Sequence, residues 1–209
     1  MDIHTIVLAA GEGSRMKSNR AKSLQRIGGT SMLEKICSTA GLISPKITLV
    51  VGFDKGSVIK ESKTYNLEIS TAEQLKPIGT GDAVKYGITK VEDGSKVLVL
   101  YGDVPLIKKE TLEELINNAD DGLSILTTIL EDPHGYGRVI KDDSGNAVEI
   151  VEEKDASVDE KNIKEIFTGV LCGHKELIDE GLAKLDNNNA AGEFYLTDLV
   201  SIISRKGYK

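Results

Sequence analysis

The stretch 7–22, VLAAGEGSRMKSNRAK, puts glycine and fixed positive charge side by side. Ile3 and the apolar run from Ile6 to Ala9 read as a strand that stops at Gly11. Gly11 and Gly13 carry no Cβ, so the backbone there can turn sharply and come close to a bound group. Arg15, Lys17, Arg20 and Lys22 follow. A turn with free backbone N–H groups, backed by cations, suits a polyphosphate. An ordinary strand-to-helix turn with solvated basic side chains has the same look, so partners elsewhere in the chain must decide.

Two such partners are present. Gly79-Thr80-Gly81 opens a helical segment, where backbone can lie against a ring or a ribose. Asp103 follows an apolar strand and precedes Pro105. A carboxylate at a strand end suits Mg²⁺, a hard cation held by one or two carboxylates together with phosphate oxygens. A turn or helix-cap aspartate is the plainer alternative for Asp103. Basic loop, glycine loop and strand-end carboxylate together favour a Mg-nucleotide site. A dinucleotide fingerprint is excluded, because Met16 stands where its third glycine belongs and the second strand ends in Val51-Gly52-Phe53 without an acid. The P-loop fails for want of a Gly-Lys-Ser/Thr ending.

Elements that would position these residues follow from periodicity. Residues 46–51 (KITLVV) and 96–100 (KVLVL) are nearly continuous apolar runs, as strands covered on both faces would be. Ser31 caps a helix over 32–42, with Glu34 three residues on. Helices are expected over 55–63, 80–89, 111–118, 176–185 and 195–204, and further strands over 67–70, 123–130, 139–141, 148–151 and 166–171. The first half alternates strand and helix, which predicts a doubly wound parallel sheet. The run of consecutive strands after residue 123 predicts a mixed sheet or an insertion beside the site. No boundary divides the 209 residues, so one domain, 1–209, is expected.

Composition narrows the partners. Apolar residues make up 40% and charged residues 28%, enough for a packed core beneath a solvated surface. Aromatics are 4% and the formal net charge is −7, which argues against nucleic acid and anionic membranes. No apolar run reaches the ~18 residues of a membrane span, and the N-terminus lacks the shape of a signal peptide. Cys37 and Cys172 are expected to be packed thiols in a reducing, cytoplasmic setting. His4, His134 and His174 have no zinc-ligand spacing.

Leu8-Ala9-Ala10-Gly11-Glu12-Gly13-Ser14-Arg15-Met16, with Lys22 downstream, resembles the signature of sugar-1-phosphate nucleotidyltransferases. Further segments match in order. They are Glu73-Gln74-Leu75, Gly79-Thr80-Gly81-Asp82-Ala83, Tyr101-Gly102-Asp103-Val104-Pro105-Leu106, Gly135-Tyr136-Gly137-Arg138, Val151-Glu152-Glu153-Lys154-Asp155-Ala156 and the stretch 187–198, NNNAAGEFYLTD. Taken together they resemble, more narrowly, the N-acetylglucosamine-1-phosphate uridylyltransferase domain of the bacterial bifunctional enzyme. The likeness runs over essentially the whole chain.

What the resemblance implies is specific. The fold would be α/β, Rossmann-like and of the GT-A type, with a mixed, mostly parallel sheet flanked by helices. Its nucleotide part would span about 1–110 and its sugar part about 111–209. Leu8, Ala9, Ala10, Gly11 and Gly13 would cradle the nucleotide, while Thr71, Gln74, Gly79 and Thr80 would face the base. Arg15, Lys22 and Asp103 would be catalytic: the cations neutralise triphosphate and departing pyrophosphate, and Asp103 binds Mg²⁺. Tyr101, Gly137, Glu152, Phe167 and Thr168 would line the sugar side. An NTP, UTP first, and a sugar 1-phosphate, N-acetylglucosamine 1-phosphate first, are the implied substrates; a homo-oligomer stays open.

The chain departs from the family at marked places. Thr71 replaces a glutamine, Lys76-Pro77-Ile78 is inserted before the Gly-Thr-Gly, and Phe167 replaces an asparagine that contacts sugar. Lys209 comes before the family's second metal-binding residue and before its acetyltransferase domain. A different base or phosphorylated acceptor, and a non-catalytic nucleotide-sugar sensor, are therefore the competing readings.

Overall fold

A computed structural model describes residues 2–13, 16, 18–120 and 122–208. Arg15 and Lys17 of the opening loop fall outside them. β1 (Ile3–Ala9) lies at the centre of the sheet, parallel to β4 (Lys46–Val51) on one side and β6 (Lys96–Tyr101) on the other. β5 (Ile69–Glu73) adds parallel to β4 and forms that edge. Beyond β6 the direction reverses. β10 (Glu165–His174) is antiparallel to β6, β7 (Leu123–Ile129) and β8 (Arg138–Lys141), and β9 (Ala147–Val151) closes a hairpin with β8. The mixed, mostly parallel sheet expected from the sequence is thus present. A small hairpin, β2 (Arg26–Ile27) and β3 (Thr30–Ser31), stands apart.

Both faces of the sheet are covered, which is why its central strands are apolar throughout. Along β1, Ile6 enters one core while Val7 and Ala9 enter the other. Val97 and Val99 of β6 likewise alternate with Leu98 and Leu100. α3 (Thr80–Ile88), α5 (Lys175–Leu182) and α6 (Asp198–Ser204) fill the first core through Val84, Ile88, Ile178, Leu182, Leu199 and Ile203. α1 (Met32–Gly41), α2 (Lys55–Ser62) and α4 (Lys109–Asn117) fill the second through Leu33, Ile36, Val58, Leu112 and Leu115. Each such side chain withdrawn from water contributes roughly 1.5–3 kcal/mol before entropy is counted. Ser31 caps α1 by accepting the Glu34 backbone N–H at 3.0 Å.

Two boundaries move for tertiary reasons. β5 begins at Ile69, two residues later than expected: its pairing with β4 starts at Ile47–Ile69, and Leu67 before it packs against Gly41 at the end of α1. α6 begins at Asp198, not at residue 195, because the backbone before it pairs with another segment. The Phe194 N–H donates to Ile78 O at 2.8 Å, its carbonyl accepts from the Gly81 N–H at 2.8 Å, and the Leu196 N–H donates to Thr80 Oγ1 at 3.1 Å. A segment committed to these bonds cannot also close helical ones. Cys37 and Cys172 are buried and unpaired. Among the described residues no helix is long and apolar enough to cross a membrane.

Candidate functional site

In open α/β sheets the natural crevice lies at the carboxyl ends of the strands, where connections leave to opposite sides. Here that point lies between β1 and β6, since β4 follows β1 on one flank and β6 returns on the other. The Gly102 N–H donates to Leu8 O at 2.9 Å, holding the two strand ends together. A cavity of about 250 Å³ opens there. Its floor is Leu8, Ala9, Ala10 and Gly11; Lys22, Ser23 and Asp103 form one side, and Gln74, Pro77, Gly79, Thr80 and Ala83 another. Tyr101 and Glu193 complete it.

The opening loop folds back onto its own cation. Gly13 has φ +67°, and a Cβ there would sit 2.7 Å from Lys22 Cβ, so only glycine lets the loop close on that stem. Ala21 and Leu24 are fully buried on either side of Lys22, which fixes where the lysine leaves the backbone. Its ammonium forms an ion pair with the Asp103 carboxylate, both side chains remaining partly open to the cleft. Sequence reasoning brought these two residues to one site but assigned them to different groups, phosphate and metal. In the folded chain they face each other.

The base-side wall is made by a clamp. Gly79 lies at φ +128°, ψ 165°, a backbone region essentially reserved for glycine. Its Cα abuts Phe194, so the glycine loop and residues 193–196 form one unit. Gln74, buried at the end of β5, donates its amide to Gly79 O at 3.0 Å and to Asp82 Oδ2 at 2.8 Å. Thr71 does not share this wall. It projects from the outer strand β5, exposed, with Leu49 as its register partner. Pro77, from the inserted residues, does line the cleft.

The residues assigned to sugar divide. Tyr101 lines the cleft with its ring beside Gly169, and burial pushes its phenol well above the ordinary range. Gly137 and Glu152 form an adjacent cluster: a Cβ on Gly137 would stand 3.6 Å from the Glu152 carboxyl, and Thr197 donates its hydroxyl to Glu152 Oε1 at 3.0 Å. Burial raises the Glu152 carboxyl above its usual range, and the Thr197 hydrogen bond opposes that rise. Phe167 and Thr168 adjoin this cluster, the Phe167 N–H donating to Gly137 O at 3.0 Å, but their side chains turn to other partners. Phe167 is 6% exposed and packs in the core, as an apolar ring should, and Thr168 donates to Leu126 O at 2.8 Å. Ser23, Ala83 and Glu193 line the cleft without having been assigned from sequence, whereas Pro77 belongs to the insertion singled out there. Glu193 lay within the quoted 187–198 motif, so its signal was present but unread. Asn189 holds it in place, accepting the Glu193 N–H at 3.2 Å and donating to Glu193 O at 2.6 Å.

As a cation site the cleft offers little protein. Among the described residues no three His, Cys, Asp or Glu side chains gather around a metal position. Asp103, beside Lys22 and with Glu193 the other carboxylate lining the cavity, fits Mg²⁺, which keeps waters and takes phosphate oxygens instead of demanding a protein cage. It does not fit zinc.

Comparisons with known proteins show the family and the fold. Residues 5–183 match the family model described as a MobA-like NTP transferase domain. A bifunctional protein GlmU from Alcanivorax borkumensis is 42% identical over 208 residues, which is 99% of this chain and 46% of that protein. Another from Neisseria gonorrhoeae is 44% identical over 208 residues, 99% of this chain and 45% of that protein. The chain thus spans about half the length of these relatives. A solved structure from Bacillus anthracis, described as a glucose-1-phosphate thymidylyltransferase, superposes with a TM-score of 0.77 at 20% identity, over 98% of this chain and 84% of that one, and so shares the fold. Since the family model covers residues 5–183, the greater part of the chain, the chain belongs to the MobA-like NTP transferase family.

Proposed function

We propose that this protein transfers a nucleotidyl group from an NTP, UTP first, to a sugar 1-phosphate, N-acetylglucosamine 1-phosphate first, releasing pyrophosphate. The observation that carries the reading is Lys22 and Asp103 facing each other over a cleft floored by the Leu8–Gly11 backbone. The backbone of that floor and the glycine clamp would seat the nucleotide. Lys22 would exchange Asp103 for the β- and γ-phosphates, so that the polyphosphate's arrival frees the carboxylate. Asp103 would hold Mg²⁺, which would supply charge neutralisation for the triphosphate. The attacking sugar phosphate is already ionised, so no general base is needed and positioning with charge stabilisation suffices. Tyr101, Gly137 and Glu152 would hold the sugar, Glu152 through its hydroxyl groups. Buried, unpaired thiols accord with a reducing, cytosolic location.

Pro77 in the base wall favours a second reading with the same chemistry and a different base. A pyrophosphate-release assay over four NTPs and a panel of sugar phosphates separates the two. UTP with N-acetylglucosamine 1-phosphate is expected to be fastest, and Asp103→Asn to abolish turnover while Mg²⁺ is present. Silence with every pair refutes the assignment and favours a nucleotide-sugar sensor.

A further inference from the structure

Asp54 stands outside the cleft's inner wall, yet its geometry is unusual for its place in the chain. It lies at φ +52°, ψ 33°, and it is the one non-glycine among the described residues with a positive φ. Aspartate tolerates this left-handed region better than most residues, but it remains a strained choice. The residue occupies the N-cap of α2, where an aspartate ordinarily accepts a hydrogen bond from its own helix. Here it makes no side-chain cap bond. Its backbone carbonyl accepts from the Ser57 and Val58 N–H groups at 3.0 and 3.2 Å, while Oδ2 turns away to accept the Ala21 N–H at 3.2 Å. Ala21 immediately precedes Lys22. The neighbouring Phe53 N–H donates to Ala10 O at 3.1 Å, so the end of β4 grips the opening loop at both its start and its finish.

Strain that persists next to a working group, with a cap bond given up to sustain it, needs a return elsewhere. We propose that Asp54 is a positioning residue for Lys22: its carboxylate fixes the backbone from which Lys22 reaches Asp103 and, on the reading above, the polyphosphate. This rests on the proposed function only for the ligand's identity; the placing of Lys22 stands on the bond from Ala21.

The test uses the 209-residue chain with its lysines ¹³C-dimethylated, the Lys22 signal being assigned with Lys22→Arg. Asp54→Asn keeps both an acceptor and tolerance of the left-handed backbone. Asp54→Gly relieves the backbone but removes the acceptor, so a change in it cannot be laid to strain. The Lys22 signal should stand apart from those of solvated lysines in the parent and in Asp54→Asn, and merge with them in Asp54→Gly. Magnesium pyrophosphate should bind about tenfold more weakly to Asp54→Gly, the scale of one charge-assisted hydrogen bond, and no more weakly again when that change is added to Lys22→Ala. An unshifted Lys22 signal in Asp54→Gly, or additive losses with Lys22→Ala, overturns the proposal. If the parent binds no pyrophosphate while the signal still moves, the positioning role stands and the nucleotidyltransferase reading falls.

Discussion

Gly79→Ala is the most incisive single change, because it strikes the clamp that joins the glycine loop to residues 193–196. At φ +128°, ψ 165° an alanine backbone is strained by about 1–3 kcal/mol. Its methyl would stand 2.3 Å from Phe194 O and 2.6 Å from Phe194 N, contacts with main chain that no rotamer can relieve. Relief requires the segments to part, and with them the two 2.8 Å backbone hydrogen bonds between residues 78–81 and Phe194. At about 1 kcal/mol for each bond, the total is about 3–5 kcal/mol. For a chain of this size the melting temperature should fall by roughly 10 °C. The control is Gly145→Ala in the β8–β9 turn, which also has a positive φ, +84°, but has no atom within 4 Å of the new methyl. It should cost only about 1 kcal/mol. Calorimetry of both variants, with a nucleotide titration, decides the matter. Nucleotide affinity should drop at least about tenfold in Gly79→Ala and stay level in Gly145→Ala. Equal melting temperatures for the two would refute the clamp.

Burial and the nearby carboxylates of Asp186, Glu152, Asp155 and Glu149 push Asp198 up to about 6 from 3.8. The folded value exceeds the unfolded one, so the stability from its protonated form is complete below pH 3.8, declines as pH rises, and is lost above about 6. Asp198→Asn should therefore melt with the parent at pH 3.5. At pH 7 it should be the more stable by about 1 kcal/mol, a figure reduced because the group is half-exposed and the first turn of α6 favours its charge. A variant that loses stability at pH 7 would contradict this. Thr197→Val removes the hydroxyl that opposes the raised Glu152 carboxyl, so the Glu152 titration followed by ¹³C NMR should move upward, with a loss of about 1 kcal/mol in stability. An unchanged titration would mean that the 3.0 Å bond does not tune Glu152.

Local chemistry wrote much of this protein plainly. Apolar, β-branched runs such as KITLVV and KVLVL read as strands buried on both faces, Ser31 can satisfy the first turn of α1, and a Gly-x-Gly turn trailed by basic residues suits a polyphosphate. Those are short-range facts, and they fixed the fold class, most elements and the floor of the cleft. What neighbours each element is a long-range matter. Sequence could not say that Leu67 would pack against Gly41 outside the strand, or that residues 194–196 would pair with the glycine loop ahead of α6. The motif match named Thr71 and Phe167, but only strand pairing shows Thr71 exposed on the outer strand, and only packing shows the Phe167 ring in the core while its N–H stays bonded to Gly137. The opening stretch announced a phosphate-binding charge. Only the fold decided that Lys22 would rest on Asp103, with Asp54 bonded to the backbone just before it, because that arrangement brings together the segments that follow β1, β4 and β6, far apart in the chain and adjacent at the carboxyl ends of the central strands.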